Sequence, residues 1–165
     1  MFSVSNQIIN LLIQKNLTIS TCESVTGGLI ASEFTNTPHA SKVFLGGIVT
    51  YSNKSKTILA NVDTKLIESK GAISIVTAQA MAIGIQKKMK TDLAIAITGN
   101  AGPITSEDKP IGLAYLSIRI IDKFYDYTLN ATSSERNAIR TELAFLALDK
   151  LLKLLMSMDR SASKI

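Results

Sequence analysis

The sequence is poor in cysteine, tryptophan and long apolar runs, and each shortage excludes a class of protein. Its single cysteine, Cys22, cannot form an intramolecular disulfide or a cysteine-based metal cluster, which favours a reducing compartment. No uninterrupted run of about eighteen apolar residues is present, so no membrane span is expected. The first residues lack the basic start and the small-residue cleavage site of a secretory signal. We therefore expect a cytoplasmic protein that does not associate with membranes.

The shortage of aromatic residues bears on the partners of the chain. Aromatics make up 5% of the 165 residues and tryptophan is missing, although 18 Lys and Arg against 13 Asp and Glu give a formal charge of +5. Nucleic-acid binders usually cluster basic residues with aromatics, and here the basic residues are scattered, so nucleic acid is not expected as a partner. Anionic small molecules remain candidate ligands.

The apolar fraction of 46% and the length are those of a globular chain with one core. We expect a single domain over residues 1–165, with residues 158–165 as a frayed tail. Hydrophobic periodicity predicts helices over residues 4–15, 27–36, 52–62, 75–90 and 133–158, and strands over residues 17–23, 41–52, 92–99, 112–121 and 124–132. This alternation predicts an α/β fold, a three-layer α/β/α sandwich around a mixed, mainly parallel sheet.

Helix caps are predicted from short polar side chains at the start of each periodic segment. Ser5 or Asn6 is expected to cap the first helix and Ser74 the helix over residues 75–90. Ser133 or Ser134 is expected to cap the last helix, with Glu135 in its first turn.

The segment TCESVTGG, residues 21–28, places a strand end next to a helix start. The free N–H groups and the dipole of such a helix start favour anions, and they would lie beside the hydroxyl of Ser24. A serine next to oxyanion donors is the arrangement that acyl transfer needs. The alternative is a plain Ser or Thr cap followed by glycines that form a tight turn.

A serine nucleophile needs a base, and the sequence offers few. The only histidine, His39, lies in the Pro-containing turn TPHAS and is expected at the surface, so a Ser-His-Asp triad is not predicted. Lys54 and Lys56 in YSNKSK are candidate bases, because burial or a neighbouring ammonium group can lower the pKa of a lysine. The alternative is that both lysines are exposed.

Two further features suggest ligand contacts. The loop ITGNAGPITSEDKPIG, residues 97–112, has neither the Walker A nor the dinucleotide spacing, and it either cradles a phosphate or simply connects two strands. Arg136 and Arg140 lie one helical turn apart near the start of the last helix, either as a phosphate or carboxylate clamp or as surface residues.

Four motifs together, TCESVTGG, FLGGIVTYSNKSK, GAIS and ITGNAGP…KPIG, resemble the CinA C-terminal family in order and spacing over about residues 5–155. Active members of that family are nicotinamide-nucleotide amidases. The resemblance implies a three-layer α/β/α homodimer that hydrolyses the carboxamide of nicotinamide mononucleotide to nicotinate mononucleotide and ammonia. It implies no metal and no cofactor.

The family's roles transfer to matching positions of this chain. The resemblance makes Ser24 the nucleophile and Lys56, rather than Lys54, its base, with Tyr51 orienting or assisting the pair. Arg136 and Arg140 would engage the nucleotide phosphate or a partner chain. The residues implied to hold the substrate and supply oxyanion donors are Thr26, Gly27, Gly28, Thr98, Gly99, Ala101 and Gly102.

The chain departs from the family pattern at three places. Val25 stands where the family has cysteine, Cys22 stands where it has alanine, and the loop over residues 99–109 lacks two glycines and is about one residue shorter. Two alternatives to an amidase follow. One is an inactive nucleotide- or phosphate-binding domain, and the other is an accessory protein in DNA uptake or damage response.

Overall fold

A computed structural model describes residues 3–161 of the chain, with side chains described for residues 3–158. The helices are α1 Val4–Lys15, α2 Leu29–Thr35, α3 Asn53–Ala60, α4 Thr64–Lys70, α5 Ile75–Met89 and α6 Arg136–Ser161. The strands are β1 Ile19–Glu23, β2 Phe44–Val49, β3 Leu93–Gly99, β4 Leu113–Ile120 and β5 Lys123–Asn130. Among residues 3–161, no helix combines the length and the apolar character that a membrane span needs. Of the tail predicted at 158–165, residues 162–165 lie outside the described residues, while α6 extends to Ser161.

The strands form one sheet in the order β2-β1-β3-β4-β5. β1 pairs in parallel with β2 and β3, whereas β4 is antiparallel to both β3 and β5. Four of the five strands therefore run in the same direction, and only β4 runs against them. One face of the sheet packs against α1, α2 and α6, and the other against α3, α4 and α5. The predicted three-layer sandwich with a mixed, mainly parallel sheet is confirmed.

The central strand β3 shows why the sequence forms two cores of different thickness. Leu93, Ile95 and Ile97 fill the core beneath α1, α2 and α6, while Ala94 and Ala96 face α5. Alternate residues of a strand point to opposite faces, so the small alanines let α5 approach the sheet closely. All five side chains are fully buried, as expected for a central strand covered on both faces.

The first helix begins at residue 4 as predicted, but its cap lies two to three residues earlier than the sequence predicts. Ser3, rather than Ser5 or Asn6, is the cap, and its hydroxyl accepts a hydrogen bond from the Asn6 backbone N–H. Ser5 is instead buried and its hydroxyl donates to Glu33 of α2. The predicted Ser74 cap of α5 is confirmed.

The cap of the last helix also differs from the predicted Ser133 or Ser134. The helix begins at Arg136, so Glu135 precedes it, and the Glu135 carboxylate accepts from the Ala138 backbone N–H. Hydrogen bonds from the backbone N–H groups of Asn137 and Ala138 lower the pKa of Glu135. A carboxylate can replace serine as a cap because it accepts the same N–H and also interacts with the helix dipole.

Glu142 ties the start of α6 to the segment before it. Its carboxylate accepts from the backbone N–H and hydroxyl groups of Thr132 and Ser133, and this lowers its pKa to about 2. A depressed carboxylate pKa stabilises the fold above the unfolded pKa, and this stabilisation is lost as the pH falls through the folded pKa. Glu142→Gln should therefore lower the melting temperature by a few degrees at pH 7, with the difference from wild type disappearing near pH 2. Asp149→Asn is the control, since its exposed pair with Lys153 on the same helix should contribute little.

Candidate active site

A cavity of about 320 Å³ opens at the edge of the sheet where β1, β2 and β3 end. Parallel strands bring their carboxyl ends to the same edge, which is where ligands of open α/β sheets usually bind. The lining residues are Ser24, Val25, Tyr51, Asn53, Lys56, Ala72, Ile73, Thr98, Gly99, Asn100, Ala101, Gly102, Ile104, Ser106, Glu107 and Arg136.

Ser24 is held at the floor of this cavity by the sheet itself. It follows β1 directly, and its backbone N–H donates to the Ile97 carbonyl of β3 at 3.0 Å, which continues the parallel ladder. Its side chain is 7% exposed. The strand therefore fixes the direction in which the hydroxyl points.

Lys56 lies in the first turn of α3, and its side chain reaches Ser24. Its Nζ lies 3.1 Å from Ser24 Oγ and donates to the Thr50 carbonyl at 2.9 Å. The residue is 2% exposed. Ser52 and Ser55 form a capping box that sets the start of α3 and with it the position of Lys56. The structure thus brings together the two residues expected to form the nucleophile and its base, while Lys54 is exposed and does not line the cavity.

Burial lowers the pKa of Lys56, because the charged ammonium loses hydration, while Glu107 and Cys22 partly oppose this shift. Cys22 lies beneath the site with its thiol 3.4 Å from the Thr50 hydroxyl, and burial raises its pKa to about 12, so the thiol is neutral near pH 7. Of the two expected causes of a lowered lysine pKa, burial and a neighbouring ammonium group, burial is the one found at Lys56. A lysine with a lowered pKa can supply a neutral amine as a base.

The Glu23 side chain occupies the start of α2, where the sequence predicts an anionic ligand. Its buried carboxylate accepts from the Thr26 hydroxyl at 2.6 Å and from the N–H groups of Gly28, Ile30 and Ala31 at 3.0, 3.1 and 2.8 Å. These N–H groups at the start of α2 are therefore already paired within the chain. An acid at the end of a strand, just before a glycine-opened helix, is the sequence signal for this arrangement.

Thr26, Gly27 and Gly28 were expected to hold the substrate, but none of the three lines the cavity. Arg140 does not line it either. Its guanidinium donates to the backbone carbonyls of Val25 and Thr26 at 3.2 and 3.1 Å. A Cβ on Gly27 would lie 2.8 Å from Arg140 NH2, so this glycine leaves room for the guanidinium. Arg140 therefore holds the turn that follows Ser24 instead of contacting the cavity.

Arg136 and Tyr51 meet at the rim of the cavity. The Arg136 guanidinium donates to the Tyr51 hydroxyl at 2.6 Å and also to the Gly102 carbonyl. Tyr51 is 61% exposed. Its hydroxyl is thus paired with Arg136 at the mouth, and no hydrogen bond joins it to Ser24 or Lys56 among the described residues.

The loop after β3 forms one wall of the cavity, and the loop residues expected to hold the substrate, Thr98, Gly99, Ala101 and Gly102, all line it. Gly99 is required there because a Cβ would lie 2.6 Å from the Leu113 carbonyl of β4. The expected surface position of His39 is also found, since it is exposed and does not line this cavity.

Asn100 braces the loop wall and was not singled out by the sequence. Its side chain donates to the Lys109 carbonyl at 3.0 Å and accepts from the Gly102 N–H at 3.0 Å. Ala72, Ile73 and Glu107 complete this side of the cavity and were also missed, because long-range contacts place them there. Within residues 3–158, no three His, Cys, Asp or Glu side chains are grouped as a metal site would need.

Comparison with known proteins gives the same family from several directions. The model of the CinA C-terminal domain matches residues 1–155. A CinA-like protein of Kosmotoga olearia is 43% identical over 148 residues, which cover 89% of this chain and 36% of that protein. A putative competence-damage inducible protein of Clostridium botulinum (strain Langeland) is 44% identical over 148 residues, again 89% of this chain and 36% of that protein. The chain thus spans little more than a third of the length of the curated relatives it matches.

Solved structures share the fold over nearly the whole chain. The competence/damage inducible protein CihA from Agrobacterium tumefaciens has a TM-score of 0.86 at 34% identity, covering 92% of this chain and 93% of that one. A CinA superfamily protein from Klebsiella pneumoniae has a TM-score of 0.90 at 25% identity, covering 93% of this chain and 96% of that one.

Proposed function

The chain belongs to the CinA C-terminal domain family, and from this premise we propose that it hydrolyses the amide of nicotinamide mononucleotide, with Ser24 as nucleophile and Lys56 as base. The products are nicotinate mononucleotide and ammonia. The observation that carries the proposal is the 3.1 Å contact between Ser24 Oγ and Lys56 Nζ in a cavity open to a ligand. A serine paired with a buried lysine is a recurring solution for acyl transfer without histidine.

In the first half of the reaction, the neutral amine of Lys56 accepts the Ser24 proton while Oγ attacks the amide carbon. The Thr50 carbonyl accepts one N–H of the amine, which turns the nitrogen lone pair toward the serine. The new C–O bond gives a tetrahedral intermediate. Lys56, now an ammonium, returns the proton to the amide nitrogen, the C–N bond breaks, and ammonia leaves an ester on Ser24.

In the second half, Lys56 takes a proton from a water molecule that attacks the ester. The C–O bond to Ser24 breaks, the proton returns to Oγ, and the free acid is released as a carboxylate. Each half-reaction uses the amine once as base and once as acid, so the pair ends as it began.

The surroundings of the pair suit a nucleotide whose phosphate stays outside. The cavity, about 320 Å³, is at the small end of ligand pockets, and Arg136 lies at its rim. Arg136 at the rim is exposed, and it would meet the phosphate by exchanging its hydrogen bond to Tyr51.

The pH dependence of turnover should follow the protonation of Lys56. The reaction needs the neutral amine, so kcat should rise with pH and level off above the pKa of Lys56, which burial places below its ordinary value of 10.5. A kcat–pH profile measured by ammonia release checks this. A profile that still rises steeply through pH 10.5 would show that Lys56 titrates as an ordinary exposed lysine.

The function itself is tested by incubating the purified protein with nicotinamide mononucleotide and measuring ammonia and nicotinate mononucleotide. Wild type should release both in equal amounts, and Ser24→Ala should release neither above background. Tight binding of the nucleotide to wild type without any turnover would instead support the inactive nucleotide-binding domain.

A further inference from the structure

Glu107 enters the cavity from a strained turn. Backbone N–H of Lys109 donates to the Ser106 carbonyl at 3.0 Å, and the two central residues of this turn, Glu107 and Asp108, both lie in the left-handed region with φ of 55° and 53°. Glutamate is an unfavourable residue for that region. The turn therefore needs a compensating interaction, and the Glu107 side chain provides one.

The Glu107 carboxylate joins the loop after β3 to the segment just before α5. One oxygen accepts from the Ala72 N–H at 2.7 Å and the other from the Ile73 N–H at 2.9 Å. The Ala72 carbonyl in turn accepts from the Thr98 hydroxyl at 2.8 Å. A Cβ on Gly71 would lie 2.6 Å from the carboxylate, so this glycine leaves the space that the bridge needs. The carboxylate is thus held in place in the wall of the cavity.

Among the described residues that line the cavity, Glu107 is the only acid, while Lys56 is buried beside Ser24 and Arg136 lies exposed at the rim. Lys56 is held by Ser24 and Thr50, and Arg136 donates to Tyr51 and Gly102. Each Glu107 oxygen accepts a single hydrogen bond, so the negative charge still faces the cavity. Arg136 keeps its positive charge at the exposed rim, and Glu107 supplies a negative charge on the loop side of the cavity, where we place the ring.

We propose that Glu107 is a specificity-determining residue, whose carboxylate selects ligands that carry a positive charge on the ring bearing the amide. The ring of nicotinamide mononucleotide is such a cation, because its nitrogen is bonded to ribose. This assignment rests on the proposed function for the place of the ring beside Ser24. A fixed charge a few ångströms from a ring cation, partly screened by solvent, should change affinity by about three- to tenfold.

The test measures binding of two small amides to the full chain by calorimetry at low ionic strength. 1-Methylnicotinamide carries the ring charge, and nicotinamide is its neutral parent. In Glu107→Gln the cation should bind three- to tenfold more weakly, while nicotinamide should change less than twofold. Glu107→Asp should retain most of the preference for the cation. Asp108→Asn is the matched control, since it removes the adjacent charge from a residue that does not line the cavity, and it should leave both affinities unchanged.

Two results would overturn the proposal. If Glu107→Gln weakens the binding of both amides equally, Glu107 only supports the structure of the loop. If the wild type binds the cation no better than nicotinamide, the site does not select for ring charge. These measurements need no turnover. A retained preference for the cation in a protein that fails to hydrolyse nicotinamide mononucleotide would reject the proposed reaction and keep the role of Glu107.

Discussion

Replacement of Lys56 by methionine is expected to lower kcat for amide hydrolysis by about a thousandfold or more. Methionine fills a similar volume but cannot accept the proton of the Ser24 hydroxyl, whose oxygen lies 3.1 Å from Lys56 Nζ in the wild type. The serine hydroxyl alone is a weak nucleophile near pH 7. Ammonia release measured over hours, under conditions where wild type completes the reaction in minutes, is sensitive enough to detect the residual rate.

The same substitution should leave the fold nearly as stable as wild type. It removes a buried amine, which favours the variant, and it leaves the Thr50 carbonyl without its donor, which costs about 1–3 kcal/mol. These effects oppose each other, so we expect thermal unfolding to shift by only a few degrees. Lys56→Arg should be both inactive and clearly less stable, because the guanidinium stays charged in the buried site.

Lys54→Met is the matched control for this prediction. It removes a lysine two residues away on the same helix, exposed and outside the cavity, and it should change neither kcat nor stability appreciably. Activity retained in Lys56→Met and lost in Lys54→Met would mean that the wrong lysine has been assigned as the base.

The proximity of Ser24 and Lys56 could be predicted from the sequence because Ser24 follows the end of a strand and Lys56 lies near the start of a helix. The apolar, β-branched strand before Ser24 and the polar helix start around Ser52 are both local patterns. The resemblance to a family then chose Lys56 over Lys54, which local patterns did not decide. The structure adds the physical reason: only Lys56 is buried against the serine.

The sequence assigned some groups to a ligand that instead form hydrogen bonds within the chain. Local sequence does not show which partner such a group will bind. A glycine-opened helix start accepts a carboxylate equally well from a ligand or from the chain, and here Glu23 occupies it. The same ambiguity applies to Arg140, whose guanidinium binds backbone carbonyls of the turn after Ser24. Periodicity does not carry this information, because the partners are set by tertiary packing.

Short elements and long-range bridges were missed for a related reason. α4 buries a single residue, Ile67, whereas the equally short α2 buries Ile30 and Phe34 one turn apart, so only α2 shows a helical pattern in the sequence. Glu107 meets Ala72 and Ile73 across more than thirty positions of sequence. No local pattern marks a contact at that separation, so the wall that Glu107 completes became visible only in the fold.

The second large effect is expected at Glu23, where Glu23→Gln should lower the free energy of unfolding by about 3 kcal/mol. The carboxylate is 1% exposed and accepts four hydrogen bonds, from the Thr26 hydroxyl and three backbone N–H groups. A glutamine has one amide oxygen for these donors, and its NH₂ group would face a backbone N–H. At least one buried donor would then lose its partner. Urea denaturation, analysed with a common m-value, measures the change.

Glu33→Gln provides the comparison, because Glu33 lies on α2, the helix whose first N–H groups Glu23 accepts from, is exposed, and accepts from Ser5 at 3.3 Å. It should change stability by less than about 0.5 kcal/mol. Because Ser24 follows Glu23 directly, the Glu23 variant should also lose kcat through a displaced hydroxyl, with the pH profile set by Lys56 unchanged. Equal stability of the two variants would mean that water replaces the carboxylate at the start of α2, and that end of the helix would then be open to an anionic ligand after all.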